Sequence, residues 1–374
     1  MNGRIKKVFP GGNTSEGFFS YYRYLLEKGT RRIFVIKGGP GVGKSTLMKK
    51  VANKLTDLGY DLELHYCSSD NNSLDGIAVL SAGIVMVDGT APHIVDPRYP
   101  GGLDEIVNLG EYWDTEKMEV NREKLIASTN EVSRLFARAY RFLKAARFMA
   151  ENITAMHSQS MDFAQVNRVT LILEKLLLGH TYLPEACDYI GSERHLFSSA
   201  YTPEGYIDYS DSILQDVGRV YYLDGLMGTG KSTILSRIAE RAREKGMDVE
   251  IYHTPLIPTK ISTVIIKDIN MAITSSPHYQ QKNYEIIDLN QYMNRGILAS
   301  HQEEILHDSE LMENMINQGI LNIRKAKEEH DVLEQYYVPN MNFAGVGEKY
   351  EQLVSRIFHL IESEVTAASS CIYN

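Results

Sequence analysis

The chain has 374 residues, 43% of them hydrophobic, enough for two domains with cores of their own. Its net charge of −9 makes nucleic acid a poor default partner, because a polyanion selects basic surfaces. Cys67, Cys187 and Cys371 are far apart in the sequence. They read as reduced thiols, without the spacing of a structural metal site.

The first residues, "MNGRIKKVFPGG", are basic and lack the apolar stretch of a signal peptide. The longest apolar run, 77–87, is interrupted by Ser81 and Gly83. It is too short for a bilayer span of about 20 residues. A cytoplasmic protein without a membrane partner is expected.

"RRIFVIKG" is a short apolar run that ends in glycine, the pattern of a buried parallel strand. A glycine-rich stretch follows, then the amphipathic "KSTLMKKVANKLTDLG", a helix stopped at Gly59. "DLELHYC" predicts a second strand, "CSSDNNSLDG" a polar loop and "GIVMVDG" a third strand. From Glu111 to Leu178 there is neither glycine nor proline, and the spacing predicts a pair of long helices.

The same order then recurs. "FPGGNTSEGF" aligns with "FSSAYTPEGY", "IVNLGEY" with "IIDLNQY" and "MDFAQV" with "MNFAGV", at a nearly constant spacing. "GRVYYLDG", "KSTILSRIAERAREKG", "DVEIYHT" and "NMAITSS" repeat the strand–helix–strand pattern, with Gly246 as helix stop. The chain therefore reads as a duplication, with a first copy over 1–190 and a second over 191–374. The expected fold is α/β: two tandem doubly wound parallel-sheet domains, each with a long helical insertion or arm.

Both copies carry G-x-x-x-x-G-K-[ST] between strand and helix: "GGPGVGKST" and "GLMGTGKST". Such a turn points backbone N–H groups and the positive end of a helix inward, which makes an anion site. Gly38, Gly39, Gly41 and Gly43 allow the tight backbone path. Lys44 reaches the β- and γ-phosphates, and the Ser45 hydroxyl can ligate Mg²⁺, with Thr46 beside it. Gly225, Gly228, Gly230, Lys231, Ser232 and Thr233 offer the same parts in the second copy. On these motifs the chain resembles the P-loop NTPases. More narrowly it resembles uncharacterised bacterial ATP-binding proteins with tandem P-loop domains, a resemblance that implies ATP and Mg²⁺ as ligands but no particular substrate.

The copies are not equivalent. "IVMVD" ends at Asp88, placed to hold Mg²⁺, whereas the second copy has Ser275 there. Lys44 and Asp88 are the catalytic candidates, and Ser45, Asp88 and Ser232 the metal candidates. Other residues carry weaker readings. His93 and His278 follow the third strand and either touch phosphate or fix a Pro-His turn. Thr14 with Glu16 and Thr202 with Glu204 read as turn devices, ahead of a role for Phe9 and Phe197 in stacking on a base. Arg194 and its counterpart Lys6 are solvated charges or an internal arginine finger. Asp70 and Asp75 read as loop residues before they read as groups orienting an acceptor. His330 and Glu334 share a helix face without a matching pair in the first copy.

Three functions fit. The chain is an ATPase that turns over at the first copy and binds or regulates at the second, or a small-molecule or nucleotide kinase, or a nucleotide sensor whose helical arms hold a protein partner. ATP is favoured over GTP because no guanine-reading N-K-x-D stretch is present. Intramolecular pairing of the two halves is a further expectation from the duplication.

Overall fold

The computed structural model describes residues 2–25, 29–90, 94–179, 189–276 and 285–371. In chain order the first stretch holds β1 (Ile5–Val8), β2 (Gly11–Thr14), β3 (Gly17–Ser20), β4 (Arg32–Lys37), α1 (Lys44–Asp57), β5 (Leu62–Cys67), β6 (Asp70–Val79), β7 (Ile84–Asp88) and β8 (Asp104–Asn108). The helices α2 (Thr115–Val120), α3 (Arg122–Ser160) and α4 (Phe163–Leu178) follow. Then come β9 (Glu193–Phe197), β10 (Ser199–Thr202), β11 (Gly205–Asp208), α5 (Ser210–Leu214), β12 (Arg219–Asp224), α6 (Lys231–Glu244), β13 (Val249–His253), β14 (Ile261–Ile266), β15 (Met271–Thr274) and β16 (Glu285–Asp288). The chain ends with α7 (Arg295–Ser300), α8 (Gln302–Tyr337) and α9 (Phe343–Cys371).

Two compact units result. The first contains residues 1–10, 22–136 and 324–374, and the second residues 11–21 and 137–323. Each therefore draws on both sequence halves, and the long helices α3 and α8 contribute to both units.

The first unit is built on a six-stranded sheet in the order β1-β5-β6-β7-β4-β8. The second has β9-β13-β14-β15-β12-β16, the same order element for element. The expectation of parallel sheets is corrected here, because both sheets are mixed. β6 runs antiparallel to β5 and β7, and β14 antiparallel to β13 and β15. The reason lies in the connections. Only a tight turn separates Cys67 from Asp70, and the short Leu80–Ala82 turn with Gly83 at φ 62° joins β6 to β7. A parallel neighbour needs a crossover of a dozen residues or more. The polar start of β6 explains why "CSSDNNSLDG" reads as a loop: its first residues are only partly buried, and apolar burial begins at Leu74.

The expected strands β4, β5, β7, β12, β13 and β15 are present, and α1 and α6 follow their glycine-rich turns. α1 buries Leu47, Met48, Val51 and Leu55 on one stripe, and α6 buries Ile234, Leu235 and Ile238. In the first unit that stripe meets Val354, Ile357 and Ile361 of α9, from the far end of the chain. In the second, α6 shares a core with Val166, Leu173 and Leu177 of α4. No described helix is long and apolar enough to cross a membrane.

The second unit also holds two β-hairpins, β2–β3 and β10–β11. The Thr14 hydroxyl donates to the Gly17 carbonyl (2.8 Å) and the Thr202 hydroxyl to the Gly205 carbonyl (2.8 Å), so both threonines are turn devices.

Candidate functional site

The site in the first unit forms where β4 runs into α1. Gly43 caps α1 with φ 93°, and Gly230 caps α6 with φ 97°. A side chain at either position would be strained, so glycine there follows from the turn itself. The Lys44 ammonium donates to the carbonyls of Gly38 (2.7 Å) and Gly39 (2.8 Å). It also lies 3.5 Å from Oδ2 of Asp88 at the end of β7. Lys44 and Asp88, distant in sequence, are thus brought together. Thr46 and Thr233 sit exposed on the first turns of their helices.

Thr90 ties Asp88 to the turn. Thr90 N–H donates to Oδ1 (2.8 Å), and the Thr90 hydroxyl donates to the Gly38 carbonyl (3.0 Å). Burial pushes the Asp88 carboxyl above the usual range, Lys44 pulls it down, and the charge of Asp75 pushes it up again. Asp75 is a residue the sequence left in a loop. It lies on β6, is 5% exposed, and accepts a 2.6 Å hydrogen bond from the Tyr22 hydroxyl. Asp70 is occupied otherwise: it accepts from Asn72 N–H and Ser73 hydroxyl and lies 3.4 Å from Lys327.

The Ser45 hydroxyl accepts from Leu74 N–H (3.0 Å), which fixes it beside the β6 strand that carries Asp75. A hydroxyl and a carboxylate beside a glycine-rich turn are donors of the kind Mg²⁺ takes, since it uses few protein ligands and keeps several waters. Ser45 and Asp88 therefore fit that ion. No group of three or more acidic, His or Cys side chains able to cage a metal occurs among the described residues.

In the second unit Lys231 donates to the carbonyls of Gly225 and Leu226, and the Ser232 hydroxyl accepts from Ile261 N–H (2.8 Å). These contacts copy those of Lys44 and Ser45. Burial lowers the Lys231 pKa to about 8, with Asp224 opposing and Lys260 adding to the shift. Ser275 Oγ donates to the Ser262 carbonyl (3.1 Å), so the place of Asp88 holds a hydroxyl committed to the backbone. Ser232 has no carboxylate at that position to complete a metal site.

A helix end covers each turn. At Gly39 an added methyl would lie 2.7 Å from Tyr337 Cε1, and at Gly41 2.8 Å from Val338 Cγ2. Beside the second turn, His157 Nδ1 is 2.8 Å from the Met227 carbonyl and Ser158 Oγ donates to the Gly228 carbonyl (3.0 Å). The helical stretch reads from sequence as arms. Its closing turns in fact rest on the glycine loops, and only the repeat alignment of "MDFAQV" with "MNFAGV" hints that the two contacts are counterparts.

The remaining candidates sort plainly. Arg194 is 6% exposed and pairs with Glu250 (3.4 Å), and Lys6 pairs with the buried Glu63 (3.3 Å). They are neither fingers nor solvated charges, because they sit on β9 and β1 in register with those glutamates on β13 and β5. Phe9 and Phe197 are buried, which leaves no face for a base. His330 and Glu334 lie 3.6 Å apart. His93 and His278 lie outside the described residues.

The fold and these turns define an α/β protein with a glycine-rich strand–turn–helix in each of two like-ordered sheets. Residues 15–89 match a family model described as Nephrocystin 3, N-terminal. No curated protein and no solved structure matches the chain. The matched stretch covers a minority of the sequence, yet runs from the β2–β3 hairpin through the first glycine-rich turn to the residue after Asp88.

Proposed function

We propose that the protein is a cytoplasmic ATP-binding protein, a Mg²⁺-dependent ATPase that turns over at the first glycine-rich turn and binds or regulates at the second. The observation that carries this reading is the 3.5 Å approach of Lys44 to Asp88 at the mouth of the first turn, against Ser275 at the matching place in the second. Lys44 is held at the turn by the Gly38 and Gly39 carbonyls, within reach of the β- and γ-oxygens of a triphosphate seated there. Backbone N–H groups at the start of α1 and the Lys44 ammonium stabilise the charge that builds on those oxygens. Water adds to the γ-phosphorus, the bond to the β–γ bridging oxygen breaks, and ADP and phosphate leave. Ser45 and Asp88 are the residues that would hold Mg²⁺, which when bound supplies further neutralising charge. Thr90 orients Asp88 through its N–H.

Phosphate release is measured with ATP and with GTP on the parent, Lys44→Ala and Lys231→Ala. Lys44→Ala is expected to lower turnover by about a hundredfold or more, on the scale of losing one preorganised charge donor. Lys231→Ala retains turnover and alters binding. Equal loss in the two variants overturns the asymmetry, and phosphate found on an added nucleoside monophosphate in place of free phosphate makes the enzyme a transferase.

A further inference from the structure

The second turn can be compared with the first residue by residue, because equivalent hydrogen bonds anchor the two. Leu74 N–H to Ser45 Oγ on one side corresponds to Ile261 N–H to Ser232 Oγ on the other. One step back along the strand stands Ser73 in the first unit and Lys260 in the second. One step forward stand Asp75 and Ser262. On the neighbouring strand Val87 pairs with Gly76 and Thr274 with Thr263, which puts Asp88 and Ser275 in register. The first site thus faces two carboxylates, and the second faces none at those positions but gains an ammonium.

The two serines are also spent. Ser262 Oγ donates to the Tyr252 carbonyl (3.1 Å) and Ser275 Oγ to the Ser262 carbonyl. A divalent cation held by Ser232 would have no anionic partner there, and Mg²⁺ sites lean on carboxylates. Asp224, which does act on Lys231, ends β12 where the first unit has Lys37, on the strand ahead of the turn.

We infer that the second glycine-rich turn takes a polyphosphate without a divalent cation, and that Lys260 supplies the positive charge a metal supplies at the first. This rests on the nucleotide-cradle reading proposed above. Lys260 is only partly exposed, and its ammonium makes no hydrogen bond or ion pair with any described residue. Its backbone is fixed by Lys260 N–H to the Ile257 carbonyl (2.9 Å) and Thr254 N–H to the Lys260 carbonyl (2.9 Å). Burial depresses its pKa; Glu151 draws it back, but that carboxylate already accepts from Arg147 at 2.7 Å. Lys231 and Lys260 repel one another. A polyanion between these two poorly solvated ammonium groups, beside the start of α6, relieves that cost.

The test is calorimetric titration of the full chain with ATP, in excess Mg²⁺ and again in excess EDTA. Lys44→Ala isolates the second site and Lys231→Ala the first. With Lys44→Ala, the ATP dissociation constant is expected to change by less than about threefold on chelation, and Lys44→Ala combined with Lys260→Ser to raise it about tenfold or more, as for a lost charge-assisted bond. Lys260→Arg in the same background keeps the metal-free binding, and melting curves matching the parent exclude misfolding. Loss of binding on chelation in Lys44→Ala, or indifference to Lys260→Ser, overturns the inference while leaving the cradle reading intact. Absence of ATP binding in the parent with and without Mg²⁺ overturns the cradle reading itself.

Discussion

Gly228→Ala is the sharpest probe of how the second turn is held. Its φ is +87°, so alanine there pays about 1–2 kcal/mol of backbone strain. The new methyl would also lie 2.5 Å from the Thr154 carbonyl oxygen, a backbone atom that cannot swing aside. The closing turn of α3 must retreat, which loosens the contacts of His157 with Met227 and of Ser158 with Gly228. Each such hydrogen bond is worth about 1 kcal/mol net. The total is about 3–4 kcal/mol, or roughly 6–15 °C in Tm for a unit of this size. Gly230→Ala, two residues on, has a similar φ of +97° but meets nothing nearer than 3.6 Å. It should show the strain alone, about 1–2 kcal/mol. Differential scanning calorimetry of nucleotide-free protein measures both. Equal losses in the two variants would refute the close packing of helix end on loop.

Two further outcomes follow from the charges. Asp75 is one cause of the raised Asp88 pKa, and an acid with a raised folded pKa requires a higher pH before it ionises. The acid limb of phosphate release is therefore displaced upward from an ordinary carboxylate's, and Asp75→Asn shifts it back toward lower pH; an unmoved limb in pH–rate profiles counts against the coupling. Arg194→Met leaves Glu250 3% exposed with Lys267 at 3.0 Å as a remaining partner. The loss should be about 3 kcal/mol, the low end for breaking a buried pair, and urea titration at neutral pH reads it.

Strands and turns governed by local pattern were legible in the sequence. β4 and β12 are apolar runs, and the glycines and lysine that follow them specify a turn and a helix start without help from the rest of the chain. What escaped was set by partners. β6 begins with Asp70, Asn71, Asn72 and Ser73, a polar opening that no period-2 reading makes a strand; pairing with β5 decides it. That misreading hid Asp75, whose charge acts on Asp88 of the neighbouring strand. Arg194 and Lys6 read as surface charges because a sequence does not display the glutamates lying beside them on the next strand. The helical region was found, but periodicity describes a helix face and not what that face will cover, so Tyr337 and Ser158 gave no signal of their contact with the glycine turns.

The division of the chain has a practical corollary for anyone dissecting this molecule. A break placed between the two repeats yields fragments in which α1 has lost α9 and α6 has lost α4, each helix stripped of the apolar surface that seals it. Neither fragment owns a finished core, so the repeats are inseparable although the gene reads as two. Mixing the severed pieces, by contrast, supplies every missing segment in trans.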